Sequence, residues 1–361
     1  MNAVYGFTSM LLRVWKDLKP THIAVTFDMA GGTFRHVEYK EYKATRVKAD
    51  QALYDQIPLV HEVVESFNLP IYEKKGYEAD DVIGTIVKNV TTDYGQQTTA
   101  GRGSPKAVDR SPSAVDSPEV FIVTGDMDTL QLVSNGTKVY TMRKGLSDVV
   151  IYDAKAVEDR FGFKPEMMVD YKALRGDASD NIPGVPGIGE KTATELIQKI
   201  GGIDEIYQKI KKSKNQEIKI DLRESDIKKL EEGEESARMS KRLSTIDCNV
   251  PDLGFDLENC KVRPFDRDKI AKLFQRFEFI SLLKRLSDID GVGRDEGKGE
   301  RQKVKGAKED RGDYEFLEVK DDKEVEEIFK LIQQRKIFAA RAILKGADVF
   351  TGELGGIIFG V

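Results

Sequence analysis

Gly176-Asp177-Ala178-Ser179-Asp180-Asn181-Ile182-Pro183-Gly184-Val185-Pro186-Gly187-Ile188-Gly189-Glu190-Lys191-Thr192-Ala193 is the stretch of this chain on which the fold turns. Glycines at 184, 187 and 189 permit a tight turn and the close approach of another backbone. Lys191-Thr192-Ala193 opens an expected helix, Lys191 to Ile200, which Gly201-Gly202 closes. Backbone amides exposed at such a helix start hold a nucleic-acid phosphate without reading bases. A nucleotide-binding loop is excluded, because neither the Walker spacing nor a preceding strand is present.

Two acids, Asp177 and Asp180, precede the glycines, and three further acid groups lie upstream. Asp28 follows the β-rich run Thr21 to Phe27; Glu78, Asp80 and Asp81 sit at a helix start; Asp126 and Asp128 follow the strand Val120 to Thr124. Ends of parallel strands are where open α/β sheets place their sites. Eight carboxylates in one cleft repel one another unless cations lie between them. Oxygen ligands without His or Cys suit Mg²⁺ or Mn²⁺, and two such ions roughly 4 Å apart activate water and stabilise the leaving oxygen of a phosphodiester. Each group alone has an ordinary explanation. Asp80 and Asp81 offset a helix dipole, and Asp28 or Asp126 caps a turn.

The remaining chain bounds this reading. Its 361 residues allow two or three domains, and 40% hydrophobic content allows a sizeable core. No apolar run reaches the roughly 20 residues of a membrane span, and the N-terminus lacks the build of a signal peptide. Two cysteines, Cys248 and Cys260, are too few for a disulfide framework or thiolate cage, so a reducing cytoplasm is expected. The net charge of −5 does not exclude nucleic acid, since acids pooled in one pocket leave basic residues free to line the approach. Strand and helix signals alternate to about residue 152, which implies a mainly parallel α/β sheet. Residues 153–285 read as helical. Residues 91–118 and 286–313 are polar and expected to be disordered, the first as an insertion and the second as a linker. A helix from Lys323 to Gln334 and strand-like pieces are expected in 314–361.

Five segments carry a resemblance to a known family: Asn2-Ala3-Val4-Tyr5-Gly6-Phe7; Phe34-Arg35-His36 with Tyr42-Lys43-Ala44-Thr45-Arg46; Gly76-Tyr77-Glu78-Ala79-Asp80-Asp81-Val82; Thr124-Gly125-Asp126-Met127-Asp128; and Gly176 to Ala193. They resemble the 5′ nuclease domain of bacterial DNA polymerase I, which is related to flap endonucleases and phage 5′ exonucleases. The resemblance implies a PIN/resolvase-like, mainly parallel sheet flanked by helices over 1–152, followed by a helix–hairpin–helix subdomain over 153–285. It makes Asp28, Glu78, Asp80, Asp81, Asp126, Asp128, Asp177 and Asp180 metal ligands. It places Arg35, Lys43 and Arg46 in a catalytic arch, with Lys43 and Arg46 on the scissile phosphate. Gly184, Val185, Gly187, Ile188, Gly189, Lys191 and Thr192 become the duplex grip, with K⁺ held there. The implied activity is hydrolysis at 5′ flaps and nicked or branched DNA, for primer removal and repair, by a monomer normally fused to a polymerase.

Two departures qualify it. Family members begin with a strand ending in a metal-binding aspartate, upstream of the motif at Asn2; a misplaced start is the expectation, with poor stability and reduced activity for the chain as given. Residues 314–361 resemble the start of a 3′–5′ exonuclease domain in which Arg341 and Ile343 stand where its acidic ligands belong, so that part is expected to be inactive. The competing readings are a catalytically impaired DNA-binding fragment and a ribonuclease of the related acidic-cleft class, which generally lacks the turn at 184–192.

Overall fold

The computed structural model describes residues 1–100, 118–142, 148–215, 221–289, 339–345 and 353–360. Two compact units emerge, Met1–Gly297 and Lys298–Val361.

The larger unit opens with α1 (Asn2–Leu18), which buries Val4, Thr8, Leu11, Leu12 and Trp15. Those positions fall on one helical face. β1 (Val25–Thr26) follows, then α2 (Phe34–Glu38), α3 (Gln51–Tyr54) and α4 (Ile57–Ser66). The continuous helical pattern of residues 50–68 is therefore split. Asp50 caps α3, and α4 restarts after Gln56 with Pro58 in its first turn. β2 (Ile71–Tyr72) pairs parallel with β1, and α5 (Ala79–Ala100) follows. The expected disorder from residue 91 gives way here to helix as far as Ala100, because no proline interrupts the chain before Pro105. The rest of that expected insertion, 101–117, lies outside the described residues.

β3 (Val120–Val123) and β4 (Thr137–Met142) pair in parallel, and β5 (Val149–Tyr152) returns antiparallel to β4. The sheet is thus small, mixed and in two pieces, β1-β2 and β3-β4-β5. Helices supply most of the framework: α6 (Ala154–Phe161), α7 (Met168–Arg175), α8 (Glu190–Lys199), α9 (Ile203–Lys214), α10 (Glu224–Glu232), α11 (Glu234–Ser244), α12 (Arg267–Arg276) and α13 (Ile280–Leu286). One core joins β3–β5 to α7–α11 through Ile122, Leu130, Val139, Leu174, Leu196 and Ile206. A second joins α1, α4, α12 and α13 through Leu12, Trp15, Val64, Phe67, Ile270 and Phe274.

In the smaller unit β6 (Ala339–Lys345) and β7 (Glu353–Gly360) form an antiparallel pair, with Arg341 opposite Ile358 and Ile343 opposite Gly356. The strand-like reading of this part is met in backbone terms. Residues 290–338, including most of the expected linker and the Lys323–Gln334 helix, lie outside the described residues.

Candidate active site

The acids reach one cleft from three directions. Asp28 follows β1 and accepts a hydrogen bond from Ala79 N (2.8 Å), so it caps α5 across the strand end. Glu78 and Asp80 come from the start of that helix. Asp126 caps the 3₁₀ turn Met127–Leu132 after β3 and accepts from Asp128 N (2.9 Å). Burial pushes the Asp80 carboxyl up to about 7, with the charges of Asp126, Asp128, Asp28 and Glu78 adding to the push. The charges of the first three acid groups therefore all bear on Asp80.

The glycine-rich turn supplies the opposite flank. Asp177 and Ile182 exchange both backbone hydrogen bonds at 2.8 Å. Gly176 (φ 75°) and Gly184 (φ 64°) stand back to back in left-handed conformations. A Cβ on Gly184 would lie 2.2 Å from Gly176 N, and one on Gly176 would lie 2.6 Å from Ile182 O. Only glycine fits either position. Asp180 accepts from Tyr42 Oη (3.1 Å) and from Arg46 Nη2.

Residues 39–46 contact this flank. Lys43 is left-handed (φ 56°), a conformation that costs a non-glycine residue about 1 kcal/mol. Its N–H donates to Asp180 O (2.8 Å), and its Nζ to Glu78 Oε1 (2.7 Å). Asn181 Nδ2 donates to Glu41 O (2.7 Å). Burial, together with Glu78 and Asp180, keeps the Tyr42 phenol far above its ordinary value, so it serves as a neutral donor.

Lys172, which the sequence reading passed over, lies between the flanks. Its Nζ donates to Asp177 Oδ2 (2.7 Å) and to Asp128 Oδ1. Burial opposes the Lys172 charge, yet the two carboxylates outweigh burial and hold its pKa raised. Burial likewise opposes the Asp177 charge, but Lys172 and the Ser179 hydroxyl and amide draw it well below the carboxylate range. Lys172 is a buried lysine on α7 beside Met168, Tyr171, Ala173 and Leu174, a placement the local sequence does not mark.

Two expected cleft residues are turned away from it. Arg35 and Asp81, expected as a catalytic residue and a metal ligand, are 3% and 0% exposed and pair through two hydrogen bonds of 2.7 Å. Arg35 also donates to Leu243 O (2.9 Å) and Thr245 O (2.8 Å), while Asp81 also accepts from Glu78 N and Asp247 N. Burial works against the Arg35 charge, and Asp81 outweighs it. Each Asp81 oxygen thus accepts two hydrogen bonds, while Arg35 Nη1 also lies 3.9 Å from Glu78 Oε2.

The expected grip is likewise divided. Val185 and Ile188 are core residues, 2% and 3% exposed. Gly184 is buried, its N–H donating to Ser240 Oγ (3.0 Å). Apolar side chains anchor the turn, which leaves Gly187, Gly189 and Lys191 exposed and Thr192 half-buried at the start of α8. That helix begins at Glu190, one residue before the expected start. Among the described residues no three Asp, Glu, His or Cys side chains close into a ready ligand cage, since Lys43, Arg46 and Lys172 engage carboxylate oxygens there.

Residues 1–100 match the model of the 5′-3′ exonuclease N-terminal resolvase-like domain, and residues 163–268 that of the 5′-3′ exonuclease C-terminal SAM fold. The chain belongs to the 5′-3′ exonuclease family. DNA polymerase I of Bacillus subtilis is 36% identical over 287 residues, and that of Caldicellulosiruptor bescii 38% over 290. These matches cover 80% and 79% of this chain but 29% and 30% of the relatives' length. T5 5′-exonuclease, solved with divalent metal ions (zinc) bound, superposes with a TM-score of 0.52 at 19% identity, over 77% of this chain and 91% of that one. At that identity the likeness is one of fold. It bears out the expected sequence of a resolvase-like α/β part and a helical part.

Proposed function

We propose that this cleft hydrolyses DNA phosphodiesters at 5′ ends, as a structure-specific 5′-3′ exonuclease and flap endonuclease, with a role in primer removal and repair within a DNA polymerase I. The observation that carries the reading is the convergence of acids from separate elements, with Tyr42 between Glu78 and Asp180, Lys43 on Glu78, Arg46 on Asp180 and Lys172 between Asp128 and Asp177. The donor set fits hard divalent cations. It is all oxygen, and the mutual repulsion around Asp80 is what a bound cation relieves. Asp80, Asp28, Glu78, Asp126 and Asp128 would hold Mg²⁺ or Mn²⁺ from one flank, and Asp177 and Asp180 from the other. A pair of such ions would supply activation of water and neutralisation of charge on the leaving oxygen.

The chain's own residues do the rest. Lys43 and Arg46, now on Glu78 and Asp180, carry positive charge where negative charge develops on the phosphate. Lys172 stands as a further cation on the cleft wall. The exposed tip at Gly187, Gly189, Lys191 and Thr192 takes the duplex backbone, with K⁺ as the cation suited to its carbonyls, so shape and not base sequence is read.

The test is cleavage of a 5′-labelled flap by this chain in 10 mM Mg²⁺ or Mn²⁺ against EDTA. A metal-dependent product with a 5′-phosphate end is expected. Salt-sensitive binding without product in either metal would instead make the chain a DNA-binding module.

A further inference from the structure

The cleft draws its acids from four segments, and three of them, the start of α5, the turn after Asp126 and the glycine-rich turn, are fastened to α11 and the residues just after it, between Ser236 and Asp247. The start of α5 reaches it through the buried pair. Arg35 donates to Leu243 O and Thr245 O, and Asp81, bound to Arg35, accepts from Asp247 N (2.8 Å). The 3₁₀ turn that follows Asp126 reaches it through Gln131, whose Nε2 donates to Ser244 O (3.0 Å) and whose Oε1 accepts from Ile246 N (3.0 Å). The glycine-rich turn reaches the same helix through Ser240 and Ser236, which bond the N–H and C=O of Gly184, and through packing of Ile182 on Leu243. Side chains whose hydrogen bonds join two segments far apart in sequence fix the distance between those segments.

We infer that Arg35 and Asp81 are positioning residues that lock the first turn of α5 to the Leu243–Asp247 stretch, thereby setting the spacing between the Glu78–Asp80 flank and the other acids. They do not touch metal or DNA. The inference rests on the proposed nuclease reading for its activity arm only. Like charges held close open apart when support is lost, so loosening the lock weakens cation binding before it weakens DNA binding. Outer partners of a metal site typically change affinity or rate by about 10- to 100-fold when removed.

The test compares Arg35→Met, Asp81→Leu and the double variant in the whole chain. Because both side chains act through one contact, the double variant should raise the Mg²⁺ concentration for half-maximal cleavage no further than the worse single variant. Flap affinity in EDTA should stay within about twofold of wild type, with an unchanged salt slope. Thermal unfolding, followed by calorimetry in EDTA, should broaden or split in all three. Should the single variants fail to fold, Arg35→Lys and the double variant decide alone. Lysine keeps the charge but loses the two-pronged donor, so it should reproduce the Mg²⁺ shift in part. Effects that multiply in the double variant, or a fall in flap affinity with a shallower salt slope, would overturn the inference by showing a direct ligand or phosphate contact. A wild-type chain that never cleaves defeats the nuclease reading, while the unfolding and binding arms still decide this one.

Discussion

The two flanks of the cleft solve one problem by different chemistry. Each must hold two carboxylates close to others of the same charge. At the start of α5 the means are electrostatic. Asp81 takes the Glu78 amide and a buried guanidinium, and Asp28 caps Ala79 from the neighbouring strand. At the glycine-rich turn the means are stereochemical. Gly176 and Gly184 take positive φ, Asp177 and Ile182 close a backbone ring, and Val185 and Ile188 sink into the core. An electrostatic support is sensitive to deletion of a charge, and a stereochemical one to addition of a methyl group.

The largest expected effects separate these two. Asp80→Asn should lower flap cleavage by about 10³-fold, roughly 4 kcal/mol, because the acid cluster loses the anion on which the other acid charges bear. It should leave the metal-free fold as stable as wild type or more so, since the lost charge was repelled by its neighbours. Single-turnover rates and urea unfolding read the two outcomes. Gly184→Ala should do the reverse. A Cβ 2.2 Å from Gly176 N, on a residue at φ 64°, should cost about 3 kcal/mol of stability. An alanine variant with an unshifted urea midpoint would mean that the turn is not held by its backbone, and the contrast between the flanks would fail.

The same contrast explains what the sequence made legible. The turn reads directly, because at Gly184 a positive φ and the approach of the Gly176 backbone leave no room for a side chain. The acid groups read as a set, because their positions after strands and at a helix start survive in the local pattern. What each acid does was less legible. Asp80 and Asp81 are neighbours in sequence, yet a helix turns them about 100° apart, one into the cleft and one onto Arg35. That distinction depends on the Leu243–Asp247 stretch, more than 160 residues away, as the separation of 166 between Asp247 and Asp81 records. Lys172 was missed for the same reason, since its partners Asp128 and Asp177 come from different elements. The sheet was over-read. Thr21 to Phe27 is β-rich throughout, but among the described residues only Val25 and Thr26 join a parallel ladder, while His22 makes a single antiparallel bridge to Lys261.

Lys172→Met comes next in size and probes the seam between the flanks. Removing a cation from between Asp128 and Asp177, with 11% of its side chain exposed, should cost the metal-free protein about 2 kcal/mol. In 10 mM Mg²⁺ that deficit should shrink, because a divalent cation answers the same charges. The urea midpoint of variant and wild type, each with and without Mg²⁺, gives the answer. A deficit unchanged by Mg²⁺ would mean that Lys172 is a packing residue of α7 alone.

The smallest effect concerns the outer support of the turn, where α9 and α11 are joined by charges at the surface. Asp204 accepts from Arg238 Nη1 (3.0 Å) and from Lys241 Nζ (3.3 Å). The Arg238 hydrogen bond holds the Asp204 carboxyl below its ordinary value, against slight burial and with help from Lys241. A depressed carboxyl contributes stability that is fully present above its unfolded value near pH 4, and loses it as pH falls through the folded value. The window is therefore acidic, and neutral and alkaline pH should be without effect. With 55% of its side chain exposed, solvent screening limits the contribution to less than about 0.5 kcal/mol. Urea midpoints at pH 3 and pH 6 should accordingly run almost in parallel for wild type and Asp204→Asn. If Asp204→Asn removed more than about 1 kcal/mol of the acid sensitivity, the turn flank would owe its placement to charge as much as the α5 flank does. The division between a stereochemical and an electrostatic support would then have to be abandoned.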